Sequence, residues 1–170
     1  MNWLKKSLQA AVLAAALLVS PFAGATAFTD YLENKLVDWL VRGQAFTPPA
    51  TVYVGLLTGA CSDSAAGTEV TGGSYARVAV TSSLANWAGT QSAGSTTASS
   101  GTGGTTSNNG AITFPAPTAN WGVVTHFALY DAASSGNQLV CQALTVQKTI
   151  NNGDAAPVFN AGALTLQVDN

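Results

Sequence analysis

Charge is what this chain has least of. Six of its 170 residues are Lys or Arg and eight are Asp or Glu, 8% in all, for a formal net charge of −2. No basic cluster stands out, so the electrostatic footprint of a nucleic-acid binder is missing. There is one histidine, His126, and there are two cysteines, Cys61 and Cys141. A metal site needs more ligands than one histidine and a few scattered acids. Serines are plentiful, but they sit in low-complexity stretches and not in a sharp turn, so no Ser–His–Asp triad is marked out. No glycine-rich phosphate loop joins a strand to a helix, and no pair of carboxylates is set apart. These absences point away from an enzyme and away from any cofactor.

An apolar run long enough to span a bilayer is also lacking. The opening "MNWLKKSLQAAVLAAALLVSPFAGATA" has a basic start at Lys5 and Lys6, then an apolar run from Leu8 to Val19 that Pro21 breaks. That run falls short of the roughly 18–20 residues a spanning helix needs. With Ala25-Thr26-Ala27 after it, residues 1–27 read as a secretory signal cleaved after Ala27. The alternative is an uncleaved membrane anchor. No cysteine stands at the cleavage point, which argues against a lipoprotein. Removal of Lys5 and Lys6 leaves four basic residues against eight acidic ones, a net −4. The expected destination is outside the cytoplasm: periplasm, cell surface or medium. No stable membrane span remains after cleavage. Export places Cys61 and Cys141 in an oxidising compartment, so one disulfide is expected, the alternative being two buried free thiols.

What the chain does have is β-forming and apolar: 47% of it is hydrophobic, and Ser, Thr and Gly fill much of the rest. Residues 28–170 read as one β-rich domain. "FTDYLENKLVDWLVRG" predicts a helix at 29–42, capped by Thr29 or Asp30 and stopped near Arg42 and Gly43. Leu32, Leu36, Trp39 and Leu40 form its apolar stripe, a candidate assembly interface. After the "FTPPAT" break, strands are predicted at 51–58, near 75–81 behind a Gly72-Gly73 turn, and at 110–115, 122–132, 137–150 and 162–168. The 122–132 and 137–150 segments form a hairpin across a Ser-Ser-Gly turn. Short strands at regular turn spacing predict a mainly β fold: an antiparallel β-sandwich or barrel-like domain with one N-terminal amphipathic helix. The stretch "GTQSAGSTTASSGTGGTTSNNG" (89–110) has no apolar periodicity and reads as a flexible Ser/Thr/Gly surface loop.

His126 lies in "NWGVVTHFALYD". Strict alternation puts it on one face with Val124, Ala128 and Tyr130, and puts Val123, Thr125, Phe127 and Leu129 on the other. Both faces are largely apolar, so the strand is read as central and His126 as structural. Trp87 and Trp121 each follow an Asn. Either is a candidate ligand contact, since exposed indoles stack on sugars, but packing is the commoner use of a Trp.

The blocks "FTDYLENKLVDWLVRG", "FTPPATVYVGLLT", "GTEVTGGSYARVAV", "AITFPAPTANWGVVTHFALYDAASSGNQLV" and "ALTVQKTINNGDAAPVFNAGALTLQVD" resemble, in order and wording, a family of small tailed-phage virion proteins usually labelled tail fiber or structural protein. The resemblance covers most of residues 28–169. It implies a non-enzymatic structural subunit that assembles with copies of itself or with other structural subunits. It carries no catalytic motif. The signal segment and the long Ser/Thr/Gly loop depart from the family pattern, and export of such a subunit implies a surface, filament or virion structure. The alternative reading is a secreted carbohydrate- or receptor-binding β-sandwich module, with Trp87, Trp121 or the loop in contact with a glycan.

Overall fold

The structure is a computed structural model that describes residues 28–168; the segment read as a secretory signal lies outside the described residues. Among the described residues one helix, α1 (Asp30–Val41), precedes eight strands: β1 (Thr51–Leu57), β2 (Val78–Thr81), β3 (Thr105–Ser107), β4 (Ile112–Thr113), β5 (Gly122–Tyr130), β6 (Gln138–Ile150), β7 (Val158–Phe159) and β8 (Thr165–Gln167). Four of them form an antiparallel sheet in the order β2-β1-β5-β6. The others pair as β3-β8 and β4-β7, also antiparallel. The small sheets lie across one face of the large one. The fold is therefore the mainly β, sandwich-like arrangement with one N-terminal helix that the sequence predicts.

Val54, Leu56, Phe127 and Leu129 point from the large sheet to meet Ile112, Phe114, Leu164 and Leu166 from the small ones. Full burial of side chains such as Val54 and Leu164 contributes roughly 1.5–3 kcal/mol each. The opposite face carries a smaller cluster of Leu57, Ala128, Tyr130 and Cys141, with Tyr53 and Cys61 packed against it.

The predicted alternation along β5 fails at one point. The β5–β6 register jumps between Val124 and His126. Val124 pairs with Lys148, but His126 pairs with Ala143, so Leu144–Gln147 of β6 bulge out opposite Thr125. The bulge rotates the strand, and Val124 joins Phe127 and Leu129 in the main core instead of sharing a face with Ala128 and Tyr130.

Two strands were not predicted. Thr105–Ser107, read as part of the flexible loop, becomes β3 because its backbone pairs with Thr165–Gln167. Val158–Phe159 becomes β7 by pairing with Ile112–Thr113. Asn108 joins these pieces. Its buried Nδ2 donates to the carbonyls of Gly110 (2.7 Å) and Asn160 (2.8 Å), and its Oδ1 accepts from the Leu164 N–H (2.9 Å). The tip of the 89–110 loop folds around Gln91, whose Nε2 donates to Ser95 Oγ and Thr97 Oγ1, both at 2.7 Å.

Candidate functional site: an exposed helix end and the surfaces around it

The helix is held to the body by its first turn. Phe28 bridges to Val140 of β6, and the Thr29 N–H donates to the Leu139 carbonyl at 3.1 Å. Thr29 occupies the N-cap position, yet its hydroxyl does not cap the helix as predicted. It donates instead to the Gln138 carbonyl at 2.6 Å, trading a local bond for a long-range one. The Asp30 N–H donates to the Asp63 carbonyl at 2.9 Å. Tyr31 and Leu32 then pack on the main core. The predicted stop is observed: Arg42 is the C-cap and Gly43 takes a positive φ of 68°.

The predicted stripe is split between two environments. Leu32 packs, partly buried, against the core, whereas Trp39 is 55% exposed and Leu40 72% exposed. Val37 and Val41 are exposed as well, and Leu36 is half-buried. From Leu36 to Val41 only Asp38 is charged, and it pairs with Arg42 at 2.9 Å. The end of α1 is thus an apolar knob, bare around much of its circumference, and not a one-sided stripe. Scattered apolar residues are ordinary on a surface; these are contiguous at one helix end.

The corner that anchors α1 is stapled. Cys61, after β1, and Cys141, in β6, form a disulfide with Cα atoms 6.3 Å apart. On the same side of the sheet, Arg77 organises a buried polar group. Its Nε and Nη2 grip both oxygens of Glu69 (2.8 and 2.7 Å). Its Nη1 donates to the carbonyls of Ala132 and Ser135, each at 2.8 Å, in the β5–β6 turn. The guanidinium lies 3.3 Å from the centre of the Tyr130 ring. Tyr75 donates to Glu69 at 2.8 Å and accepts from the Leu56 N–H. A Cβ on Gly55 would come within 2.8 Å of the Tyr130 ring and 3.0 Å of Glu69, so the network needs glycine there. Burial raises the Tyr75 hydroxyl pKa well above its ordinary value. Burial, reinforced by the Glu69 charge and opposed by Arg77, pushes Tyr130 up to about 12. These bonds tie the Glu69 segment, the Leu56 backbone and the β5–β6 turn into one clamp.

His126 is half-buried on β5 with its Nδ1 2.8 Å from Thr125 Oγ1, a contact made by the bulge. Among the described residues no carboxylate forms an ion pair with it. Asp131 is occupied elsewhere, accepting from the Asn137 N–H and side chain at 2.7 Å each. Among the described residues no three His, Cys, Asp or Glu side chains gather as metal ligands. No helix among the described residues is long and apolar enough to cross a membrane.

The two candidate tryptophan contacts part company. Trp121 is only 5% exposed, with its Nε1 donating to the Gly73 carbonyl at 2.9 Å and its ring edge-on to Tyr75, 5.3 Å between centres. It is core, because the Gly72-Gly73 turn folds over it. Trp87 is half-buried at the rim of a shallow hollow of about 450 Å³ that Ser83, Leu84, Ser99 and Thr106 help to line. Sequence reasoning missed Glu69 and Arg77, although two opposite charges flanking a Gly-Gly turn in so uncharged a chain were a usable signal. It also missed Asn108, which "SNNG" disguised as an ordinary turn.

Comparison with known proteins gives one family model, described as Gp80: Podophage GP4 fiber I protein gp80, which matches residues 27–167. No curated protein matches the chain.

Proposed function

The chain belongs to the family described as Podophage GP4 fiber I protein, and from that membership we propose that it is a non-enzymatic structural subunit, exported and self-assembling into a fiber-like surface, filament or virion structure. The exposed apolar end of α1 is the observation that carries this reading. A subunit that functions alone has no use for Trp39, Leu40 and Val41 in water. A subunit that assembles buries them, and an aromatic such as Trp39 is a natural anchor. The weak net charge removes much of the repulsion that keeps copies apart.

Replacing Leu36 and Trp39 together with Ser is expected to convert oligomers into folded monomers, read by sedimentation velocity beside circular dichroism. Wild-type protein that stays monomeric at high concentration would refute self-assembly. A double variant that unfolds would place the stripe in the core and count against the helix as the interface.

Export has its own test. Protein recovered outside the cytoplasm is expected to have the intact mass of a chain beginning at Phe28. A species that retains Met1–Ala27 would count against cleavage and favour an anchor. The alternative of glycan binding draws on half-buried Trp87 and the Ser/Thr/Gly loop more than on Trp121, which is only 5% exposed.

A further inference from the structure

The entry to α1 is clasped by two segments. Phe28 bridges to Val140 of β6, and Thr29 gives its N–H to the Leu139 carbonyl and its hydroxyl to the Gln138 carbonyl. Asp30 gives its N–H to the Asp63 carbonyl, in the loop after β1. Val140 is the neighbour of Cys141, and Asp63 lies two residues after Cys61. One covalent bond therefore joins the two segments that hold the first turn of the helix. The Asp63 side has little else to fix it. Its hydrogen bonds are local: the Ser62 N–H donates to the Ala65 carbonyl (2.9 Å), the Ala65 N–H to Ser62 Oγ (3.1 Å) and the Ser64 N–H to Asp63 Oδ1 (2.8 Å). Residues 62–66 are all exposed. The main core, by contrast, includes neither cysteine.

We propose that Cys61–Cys141 is a redox latch on α1. Oxidised, it holds the helix and its apolar end in one place. Reduced, it lets the first turn go while the sheet stays folded. The chemistry is thiol–disulfide exchange with a small dithiol. Its thiolate attacks the sulfur of Cys61, which is partly exposed, whereas Cys141 is only 6% exposed. A bond forms between the reductant and Cys61, the Cys61–Cys141 bond breaks, and Cys141 leaves as a thiolate that takes up a proton. The second thiol of the reductant then displaces Cys61. The protein gains two electrons and two protons, and the dithiol becomes a disulfide.

The regulatory consequence rests on the export and self-assembly readings above. In a reducing cytoplasm the chain carries two thiols and a loose helix. In an oxidising compartment the bridge closes, and the apolar end of α1 is set for assembly there and not before.

The test follows hydrogen exchange of the full-length chain before dithiothreitol, in it, and after reoxidation, with thiols counted by alkylation and mass. With the bridge reduced, the Asp30 and Glu33 N–H groups are expected to exchange at least about tenfold faster while β1 and β5 keep their protection. Reoxidation restores the original rates. The double variant Cys61→Ser/Cys141→Ser is expected to exchange fast at both positions throughout and not to respond to the dithiol. Free thiols with unchanged exchange at Asp30 would overturn the latch. So would a bridge that resists the dithiol in the folded chain, or a sheet that opens together with the helix. Sedimentation velocity on the same samples reads assembly separately. Weaker association of the reduced protein supports the gate, and equal association in both states removes it. Monomers in both states refute the self-assembly reading, while the latch still stands or falls on the exchange rates.

Discussion

Replacing Cys61 and Cys141 together with alanine is expected to lower the free energy of unfolding by about 4.5 kcal/mol, the value chain entropy assigns to a loop of this size. The two residues are 80 positions apart, so the cross-link removes many unfolded conformations. For a chain of this length each kcal/mol moves the melting temperature by about 2–4 °C, so a drop on the order of 10 °C should appear in a thermal melt. The loss will not be spread evenly. Cys61 follows β1 and Cys141 lies in β6, with β5 between the two strands, so the bridge ties a loop to the far edge of the sheet. That loop holds Asp63, whose carbonyl accepts from the Asp30 N–H at the start of α1. Without the bridge, α1 should therefore loosen before the sheet does. Hydrogen exchange at Asp30 and Glu33, whose N–H groups donate to the Asp63 and Thr29 carbonyls, is expected to speed up under conditions where β1 and β5 remain protected. A melting temperature unchanged within about 2 °C would show that the unfolded chain gains little freedom from the break.

The coupling of that corner to the helix bears on what the sequence made legible. β1, β5 and β6 are strings of Val, Leu, Thr and aromatic residues, so local preference and final pairing agree, and each was predicted within a few residues. The helix was legible for the same reason. β3 and β7 were not. Thr105–Ser107 has no apolar pattern, and Val158–Phe159 is two residues long; each is a strand only because a distant segment lies beside it. The bulge opposite Thr125 was equally hidden, since nothing in "VVTHFAL" announces that four residues of β6 will face one of β5. One slip there reverses the face of Val124, and it throws Val146 into solvent. The candidate site shows the same division. The apolar character of α1 could be read, but its exposure could not, because exposure depends on where the sheet ends beneath the helix.

Arg77→Met is expected to cost about 3–5 kcal/mol, the range for breaking a buried ion pair from one side. The Arg77 side chain is 7% exposed and that of Glu69 23%, so the pair has little water to fall back on. Methionine fills much of the volume but leaves the Glu69 carboxylate without its partner, and the Ala132 and Ser135 carbonyls without donors. Arg77→Lys should recover only part of the loss, since an ammonium cannot grip both carboxylate oxygens and reach two carbonyls at once. The double variant Glu69→Gln/Arg77→Met should be more stable than Arg77→Met alone, because no unpaired buried charge remains. Alkaline pH probes the same group. Tyr130 keeps its proton to about pH 12 in the folded chain, whereas an unfolded tyrosine releases it near pH 10. Its share of the stability is therefore complete below about pH 10 and is lost between there and about pH 12. Urea unfolding of the four proteins at pH 7, with wild type repeated at pH 9 and 11, measures both effects. An Arg77→Met variant within 1 kcal/mol of wild type would mean that the clamp is ornamental, and that the β5–β6 turn is held by Asp131 and Asn137 alone.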